Sequence, residues 1–425
     1  MNIERLTIKN FRNIGEERSF ELDPKFTTII GINGKGKSTI LHALRIACGA
    51  FFLAIPEVKK RHIKNDDIHL AELNYQLVQQ KPVKIEAVGM FPGYETSVHW
   101  KRQITENSNT TTSSESEVGI IRNVGKISYA KVTKGEEIPL PVVAFFGTSR
   151  AHGAGRNVKS RLGRQVFKEG YQDWFEMKST TFNYESWLRS YKILRKQGKE
   201  RPRTREAFLE AIKTANPHIL EVETENGELL LKVKLDEFTS DLLPISLHSD
   251  GIRFFTEMVA ELAFRCVTLN GFLDDQAVRE SKGVVMIDEI DLHLHPKWQK
   301  HVVEDLKKAF PNIQFVVTTH SPFIVQSLKA EELINLDTVT GLDDNPDRYS
   351  IEEIASQEMG VDHVQRSETF QKMQRIAKEY FDLIKTNASA EDIQRAKLLL
   401  DEIRIKYNND PAYVALLESE FPNTI

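Results

Sequence analysis

The chain has 425 residues, 40% hydrophobic and 28% charged, as in an ordinary globular protein with room for two or three domains. Its 57 Lys and Arg against 61 Asp and Glu leave a net charge of −4, so no global field draws it to nucleic acid or an anionic membrane. Cys48 and Cys266 have no metal-ligand spacing and fit a reducing cytosol. With no apolar leader and no run of about 18 apolar residues, a cytoplasmic chain off the membrane is expected.

Ile3-Glu4-Arg5-Leu6-Thr7-Ile8 alternates apolar and polar residues, as a half-buried strand does. Phe20–Leu22 and Thr27–Ile30 read as a continuation of its sheet. Gly31-Ile32-Asn33-Gly34-Lys35-Gly36-Lys37-Ser38-Thr39 follows, between the strand Phe26–Ile30 and the helix Ile40–Arg45. Strand, Gly-rich loop and helix make this match to G-x-x-x-x-G-K-[ST] a P-loop. Backbone N–H groups from Asn33 to Thr39 and the positive end of the helix would surround phosphate oxygens. Lys37 would reach the β- and γ-phosphates and Ser38 would ligate Mg²⁺, so a nucleoside triphosphate is the expected ligand.

Beyond about residue 61 the texture changes. Val83–Val88, Ser97–Trp100 and Lys126–Ala130 read as strands of an antiparallel lobe, and residues 106–117 as a flexible loop with nothing to bury. Pro141–Phe146 reads as a buried strand, and Gln165 to about Thr214 as helical. Two basic runs stand here. Residues 150–168 carry Arg150, Arg156, Lys159, Arg161, Arg164 and Lys168, and residues 189–205 carry Arg189, Lys192, Arg195, Lys196, Lys199, Arg201, Arg203 and Arg205. Such runs suit a nucleic-acid backbone, and equally a solvated helix face that docks an acidic partner.

Asn226-Gly227 between extended runs marks a hairpin. Asp250–Asn270 reads as a long helix with Phe254, Met258, Leu262 and Cys266 at one-turn spacing. Ser249, Asp250 and Gly251 at its start offer a phosphate site or an ordinary N-cap. Gly283-Val284-Val285-Met286-Ile287-Asp288-Glu289 is an apolar strand ending in two acids, a Walker B element. Asp288 would share Mg²⁺ with Ser38, and Glu289 would orient and deprotonate the attacking water. His293 and His295 lack a third metal ligand, and Asp291–Pro296 reads as a turn at a subunit contact. Phe315–Thr319 ends in His320, placed to sense the γ-phosphate. Two helices close the chain. Ser389-Ala390-Glu391-Asp392 caps the second. Phe370, Met373, Ala377, Tyr380 and Ile384 form an apolar stripe that serves as core or as a docking element.

This order of motifs resembles an ABC-type ATPase of the SMC/RecF/OLD class. The resemblance implies an α/β ABC-type P-loop ATPase head with an antiparallel β lobe, a helical insert and a C-terminal helical segment. It implies ATP and Mg²⁺ as ligands. Ile8-Lys9-Asn10-Phe11-Arg12-Asn13-Ile14 resembles the N-terminal strand and loop of the class, which implies Arg12 beside the nucleotide. Ser249-Asp250-Gly251 resembles the signature, Asp291–His295 the D-loop and His320 the switch histidine. Phe146-Gly147-Thr148-Ser149-Arg150 stands where the class usually carries a Gln. The expected parts are 1–60 for the P-loop, 61–140 for the lobe and 141–245 for a buried strand, basic insert and hairpin. Residues 246–340 complete the core, and 341–425 form the C-terminal segment.

One P-loop, one Walker B element and one signature per chain imply a homodimer or higher even-numbered oligomer with composite sites. Tyr349–Ala355 and Gln365–Ser367 resemble stand-alone antiphage-defence ATPases of the Septu PtuA group, which implies a separate HNH-type nuclease as partner. No nuclease site is expected on this chain. The alternative is a RecF-like DNA-repair ATPase acting on DNA without a nuclease partner.

Overall fold

The computed structural model describes residues 1–91, 93–112, 114–148, 166–176, 183–198, 200–235, 237–337 and 345–361, and beyond them 375–376, 378–380, 382–384, 386 and 389–407. They fall into two units, Met1–Gly360 and Val361–Ile425.

The first unit is built on a parallel sheet. Its strands are β3 (Phe26–Ile30), β8 (Val142–Phe146), β13 (Gly283–Ile287), β14 (Ile313–Thr318) and β15 (Leu333–Asn335), in the order β15-β3-β14-β13-β8. All but the edge strand β15 are buried along their whole length, as their continuous apolar runs require of a sheet covered on both faces. Helix α1 (Lys37–Cys48) buries Ile40, Leu41, Ala43, Leu44, Ile46, Ala47 and Cys48. Lys37–Ala54 is the one described stretch long and apolar enough to cross a membrane, and 78% of it is buried.

β1 (Asn2–Lys9) and β2 (Arg18–Glu21) do not continue this sheet. They pair with β6 (Val83–Met90) and β7 (Val98–Ile104) in a separate antiparallel sheet, order β2-β1-β6-β7. Their alternating burial suits a sheet with one wet face. The buried amide of Gln314 joins the two sheets: it donates to Ile3 O at 2.7 Å and accepts from Ile3 N–H at 2.8 Å.

Two expectations for residues 61–140 are corrected. Lys126–Ala130 is not a strand but part of helix α2 (Glu115–Thr133). Val118, Ile121 and Val124 recur at helical spacing and enter the core, which outweighs the short local alternation. Gly125 is required there, because a Cβ would sit 2.1 Å from Phe51 O. Residues 106–117 are not wholly loop, since α2 begins at Glu115, and Thr111 Oγ1 accepts from Ile63 N–H at 2.9 Å. A hairpin of β4 (Leu70–Leu73) and β5 (Gln76–Gln79) adds two further strands.

The insert contains α3 (Val166–Gly170), α4 (Asn183–Lys196) and α5 (Thr204–Ala215). β9 (Ile219–Glu225) and β10 (Glu228–Leu235) form the expected hairpin, with Asn226 and Gly227 both at positive φ. The short strands β11 (Phe238–Thr239) and β12 (Leu243–Pro244) extend it. α6 spans Asp250–Asn270 and buries Met258, Leu262 and Cys266. In the second unit, helix Ala390–Tyr407 starts at Ser389, whose Oγ accepts from Asp392 N–H at 3.2 Å. Of the apolar stripe, Phe370, Met373 and Ala377 lie outside the described residues, Tyr380 is half-buried and Ile384 is 38% exposed.

Candidate nucleotide site

The loop between β3 and α1 turns at Gly31, Gly34 and Gly36, all at positive φ. No side chain caps α1 and no acid stands in its first turn, so its N-terminus is open to an anion. Asn33, Gly34 and Lys35 are exposed, whereas Lys37 is buried. The ammonium of Lys37 folds back to donate to Gly31 O and Ile32 O. Burial pulls its pKa down, opposed by the carboxylates of Asp337 and Asp288.

Two residues that sequence reasoning did not assign hold the loop. Asp337 accepts from Ile32 N–H and faces Lys35 at 4.0 Å. Asn13 donates to Gly34 O and accepts from Thr39 Oγ1 at 2.6 Å. Asn13 stands in the N-terminal motif, which was the available signal; Asp337 has none, being joined to the loop only by the pairing of β15 with β3.

The sheet order brings Walker B to the P-loop. Ser38 Oγ donates to Asp288 Oδ1 at 3.1 Å, and Thr318 Oγ1 donates to the same oxygen at 2.6 Å. The Thr318 hydroxyl also accepts from Glu289 N–H at 2.8 Å. Glu289 sits at φ 51°, in the left-handed region that a non-glycine residue enters at a cost. Asp291 accepts from Thr319 Oγ1 at 2.6 Å and from His320 N–H at 3.3 Å, which ties the turn after β13 to the end of β14. His320 itself is exposed. A hydroxyl and a carboxylate oxygen at this spacing are hard donors, and such a pair fits Mg²⁺ that keeps water and phosphate as its other ligands. Among the described residues no group of three or more His, Cys, Asp or Glu is placed to hold a metal.

Arg12 stands at φ 52°, and its Nε donates to Asp67 Oδ1 at 2.9 Å. Arg61 donates to the other oxygen of Asp67 at 2.7 Å. Burial raises the Asp67 pKa, but the Lys64 N–H and the two guanidinium groups outweigh it and hold the carboxyl below its usual range.

Ser249, Asp250 and Gly251 lie at the start of α6, and no hydrogen bond among the described residues joins them to the P-loop of the same chain. Ser249 occupies the N-cap but its hydroxyl makes no capping bond. Gly251 is pressed against the turn 291–295, where a Cβ would lie 2.4 Å from His293 O. The Phe254 and His293 rings pack at 5.1 Å. Gly147 and Thr148 occupy the turn after β8, where the class usually has Gln.

The basic runs are less uniform than their sequence suggests. Arg150, Arg156, Lys159, Arg161 and Arg164 lie outside the described residues. In the second run Arg189 pairs with Glu185, Arg201 with Glu137, Arg203 with Asp274 and Asp275, and Arg205 donates to Thr224. Lys192, Arg195 and Lys196 stay exposed.

An AAA-domain family model matches residues 5–243, and a second AAA-domain model matches residues 194–326. The chain is 22% identical over 386 residues to the Retron Vc95 probable ATPase of Vibrio cholerae serotype O1 biovar El Tor, covering 78% of this chain and 73% of that protein. It is 31% identical over 155 residues to the Septu protein PtuA of Bacillus thuringiensis, covering 33% and 35% respectively. It is 22% identical over 374 residues to the endonuclease GajA of Bacillus cereus strain VD045, covering 83% of this chain and 61% of that one. The chain therefore spans about a third of the matched PtuA and under two thirds of GajA. The first AAA-domain model alone takes in more than half of the residues, and the chain belongs to the AAA-domain family.

Proposed function

We propose that the chain binds and hydrolyses ATP, and that it does so as one half of a two-chain site which governs a separate nuclease in antiphage defence. The contact of Ser38 with Asp288, with Thr318 bridging Asp288 to Glu289, carries the hydrolytic part of this reading. Arg12 and the loop from Asn33 to Thr39 bind the nucleotide, with Lys37 on its phosphates. Ser38 and Asp288 would hold Mg²⁺, which supplies positive charge against the phosphate oxygens. Glu289 orients the attacking water and takes its proton, giving ADP and phosphate. His320 senses the γ-phosphate. Ser249, Asp250 and Gly251 serve the site of the other chain, which agrees with the uncapped Ser249 hydroxyl and the lack of any bond to their own P-loop.

Hydrolysis then removes contacts that hold two chains together, so the nucleotide state biases the dimer between closed and open. Control of a nuclease rests on the resemblance to Septu-type ATPases and on the similarity to a protein named PtuA. Purified chain with ATP and Mg²⁺ tests the core of the reading. Lys37→Ala is expected to abolish nucleotide binding, and Glu289→Gln to keep ATP while turnover falls roughly 10²–10⁴-fold. Full turnover in Glu289→Gln would contradict the assignment. Pull-down from the native operon tests the partner.

Exposed Lys192, Arg195 and Lys196 on α4 favour a second reading, a RecF-like ATPase acting on DNA. It requires DNA-stimulated turnover by the chain alone and salt-dependent DNA binding that Arg195→Glu/Lys196→Glu removes.

A further inference from the structure

Gln299 is the last residue of the short helix Pro296–Gln299, which follows the turn 291–295. The residue is half-buried, and its amide is engaged at both ends. Nε2 donates to Leu294 O at 2.8 Å, and Oε1 accepts from Ser321 Oγ at 2.6 Å. A carbonyl oxygen only accepts, so the amide nitrogen must face Leu294, which leaves the amide oxygen for the serine hydroxyl. One side chain thus joins the turn after β13 to the segment after β14.

Ser321 directly follows His320. Its hydroxyl also accepts from Ile324 N–H at 3.4 Å and so caps the helix Pro322–Val325. On the other side of His320 the Thr319 hydroxyl donates to Asp291 Oδ1 at 2.6 Å, and His320 N–H reaches the same oxygen at 3.3 Å. Thr319 and Ser321 are 0% and 5% exposed, while His320 between them is exposed. The backbone under this exposed imidazole is therefore anchored from both neighbours. Both anchors end on one turn, Asp291 at its start and Leu294 near its end. Leu294 N–H closes that turn on Asp291 O at 2.9 Å. Asp291 holds the N-terminal side of His320 directly, and Gln299 holds the C-terminal side through Ser321.

We propose that Gln299 is a positioning residue for His320, and that through it the chain tells a nucleoside triphosphate from a diphosphate. The inference rests on the proposed placement of His320 at the γ-phosphate. Ordering a loop when ligand binds costs backbone entropy, and that cost is subtracted from whatever bond the imidazole makes. With Thr319 and Ser321 anchored on folding, little ordering remains at binding. A diphosphate has no γ-phosphate to take up the bond, so the pre-set imidazole favours the triphosphate alone. The same amide joins the loop of His320 to the turn that packs on Gly251 at the start of α6.

Calorimetric titration of the full chain with Mg²⁺ and either ADP or a non-hydrolysable ATP analogue tests this, read as the ratio of the two affinities. Binding alone is measured, so the result stands whether or not the chain turns ATP over. His320→Ala is expected to lower the preference for the analogue. Gln299→Met keeps the volume and removes both bonds, and should lower the preference about three- to tenfold, the scale of one neutral hydrogen bond. Gln299→Glu keeps an acceptor for Ser321 but sets an oxygen against Leu294 O, and should shift the ratio in the same direction. The double variant His320→Ala/Gln299→Met should match His320→Ala, because Gln299 acts through the imidazole. A Gln299 effect that persists without the imidazole overturns the inference. So does an unchanged ratio in both Gln299 variants, the result for a residue whose loss shows in thermal unfolding alone. An unchanged ratio in His320→Ala removes the proposed role of His320 itself, and the inference falls with it.

Discussion

The Thr318 hydroxyl connects the two acids of the Walker B element. It donates to Asp288 Oδ1 at 2.6 Å and accepts from Glu289 N–H at 2.8 Å, and so helps to keep Glu289 at φ 51°. A left-handed non-glycine residue costs on the order of 1–3 kcal/mol and persists where its surroundings hold it. Thr318→Val keeps the shape and removes both bonds. Turnover should fall by roughly tenfold or more, because one buried hydrogen bond to a charged group is lost, while Thr318→Ser recovers most of it. Equal kcat for the Val and Ser variants would show that Thr318 only fills space. In sequence Asp288, Glu289, Lys37 and Ser38 were legible because their neighbours in the chain announce them. Thr318 and Asp337 were not, because each acts on a residue brought near by strand pairing alone.

At the scale of elements, the start of α6 is packed directly against the turn after β13. A Cβ on Gly251 would lie 2.4 Å from His293 O, backbone against backbone. Gly251→Ala must push them apart. The expected result is a folded chain that binds nucleotide as a monomer but no longer forms an ATP-dependent dimer, read by nucleotide titration and sedimentation side by side. The same helix carries a titration. Glu257 lies against Arg253 at 4.0 Å, and burial lifts its pKa from the ordinary 4.5 to about 7, with Arg253 opposing and Glu185 adding to the rise. The folded chain thus binds a proton between pH 4.5 and 7 that the unfolded chain has released. Stability should fall as pH rises through that window, by on the order of 2–3 kcal/mol. Glu257→Gln should flatten the slope between urea unfolding at pH 5 and pH 8. The long helix α6 was legible from its one-turn apolar spacing. α2 was misread because a five-residue alternation looked like a strand, and only the burial of Val118, Ile121 and Val124 along one helical face decides it.

At the scale of the whole molecule, the proposed reading of one P-loop, one Walker B element and one signature per chain pairs this chain with a second. Glu289→Gln with ATP and Mg²⁺ should sediment as a dimer, and Lys37→Ala under the same conditions as a monomer; a single mass for both would remove the composite site. The sequence by itself determined that this is a P-loop ATPase. A phosphate cradle is a local device, made by a glycine-rich turn between a strand and a helix, and its residues are contiguous. It also determined the strand that ends at Asp288 and Glu289, the long helix α6 and the hairpin at Asn226-Gly227, each a pattern of near neighbours. The tertiary structure decided the rest. It placed β1 and β2 in the antiparallel sheet rather than beside β3, because side-chain alternation does not say which strand is the neighbour. It paired Arg189, Arg201 and Arg203 with acids distant or near in the chain, and so dissolved much of a basic run. And it gathered Arg12, Arg45 and Arg61 along one open pocket, because charge density depends on distance in space, which spacing along the chain does not report.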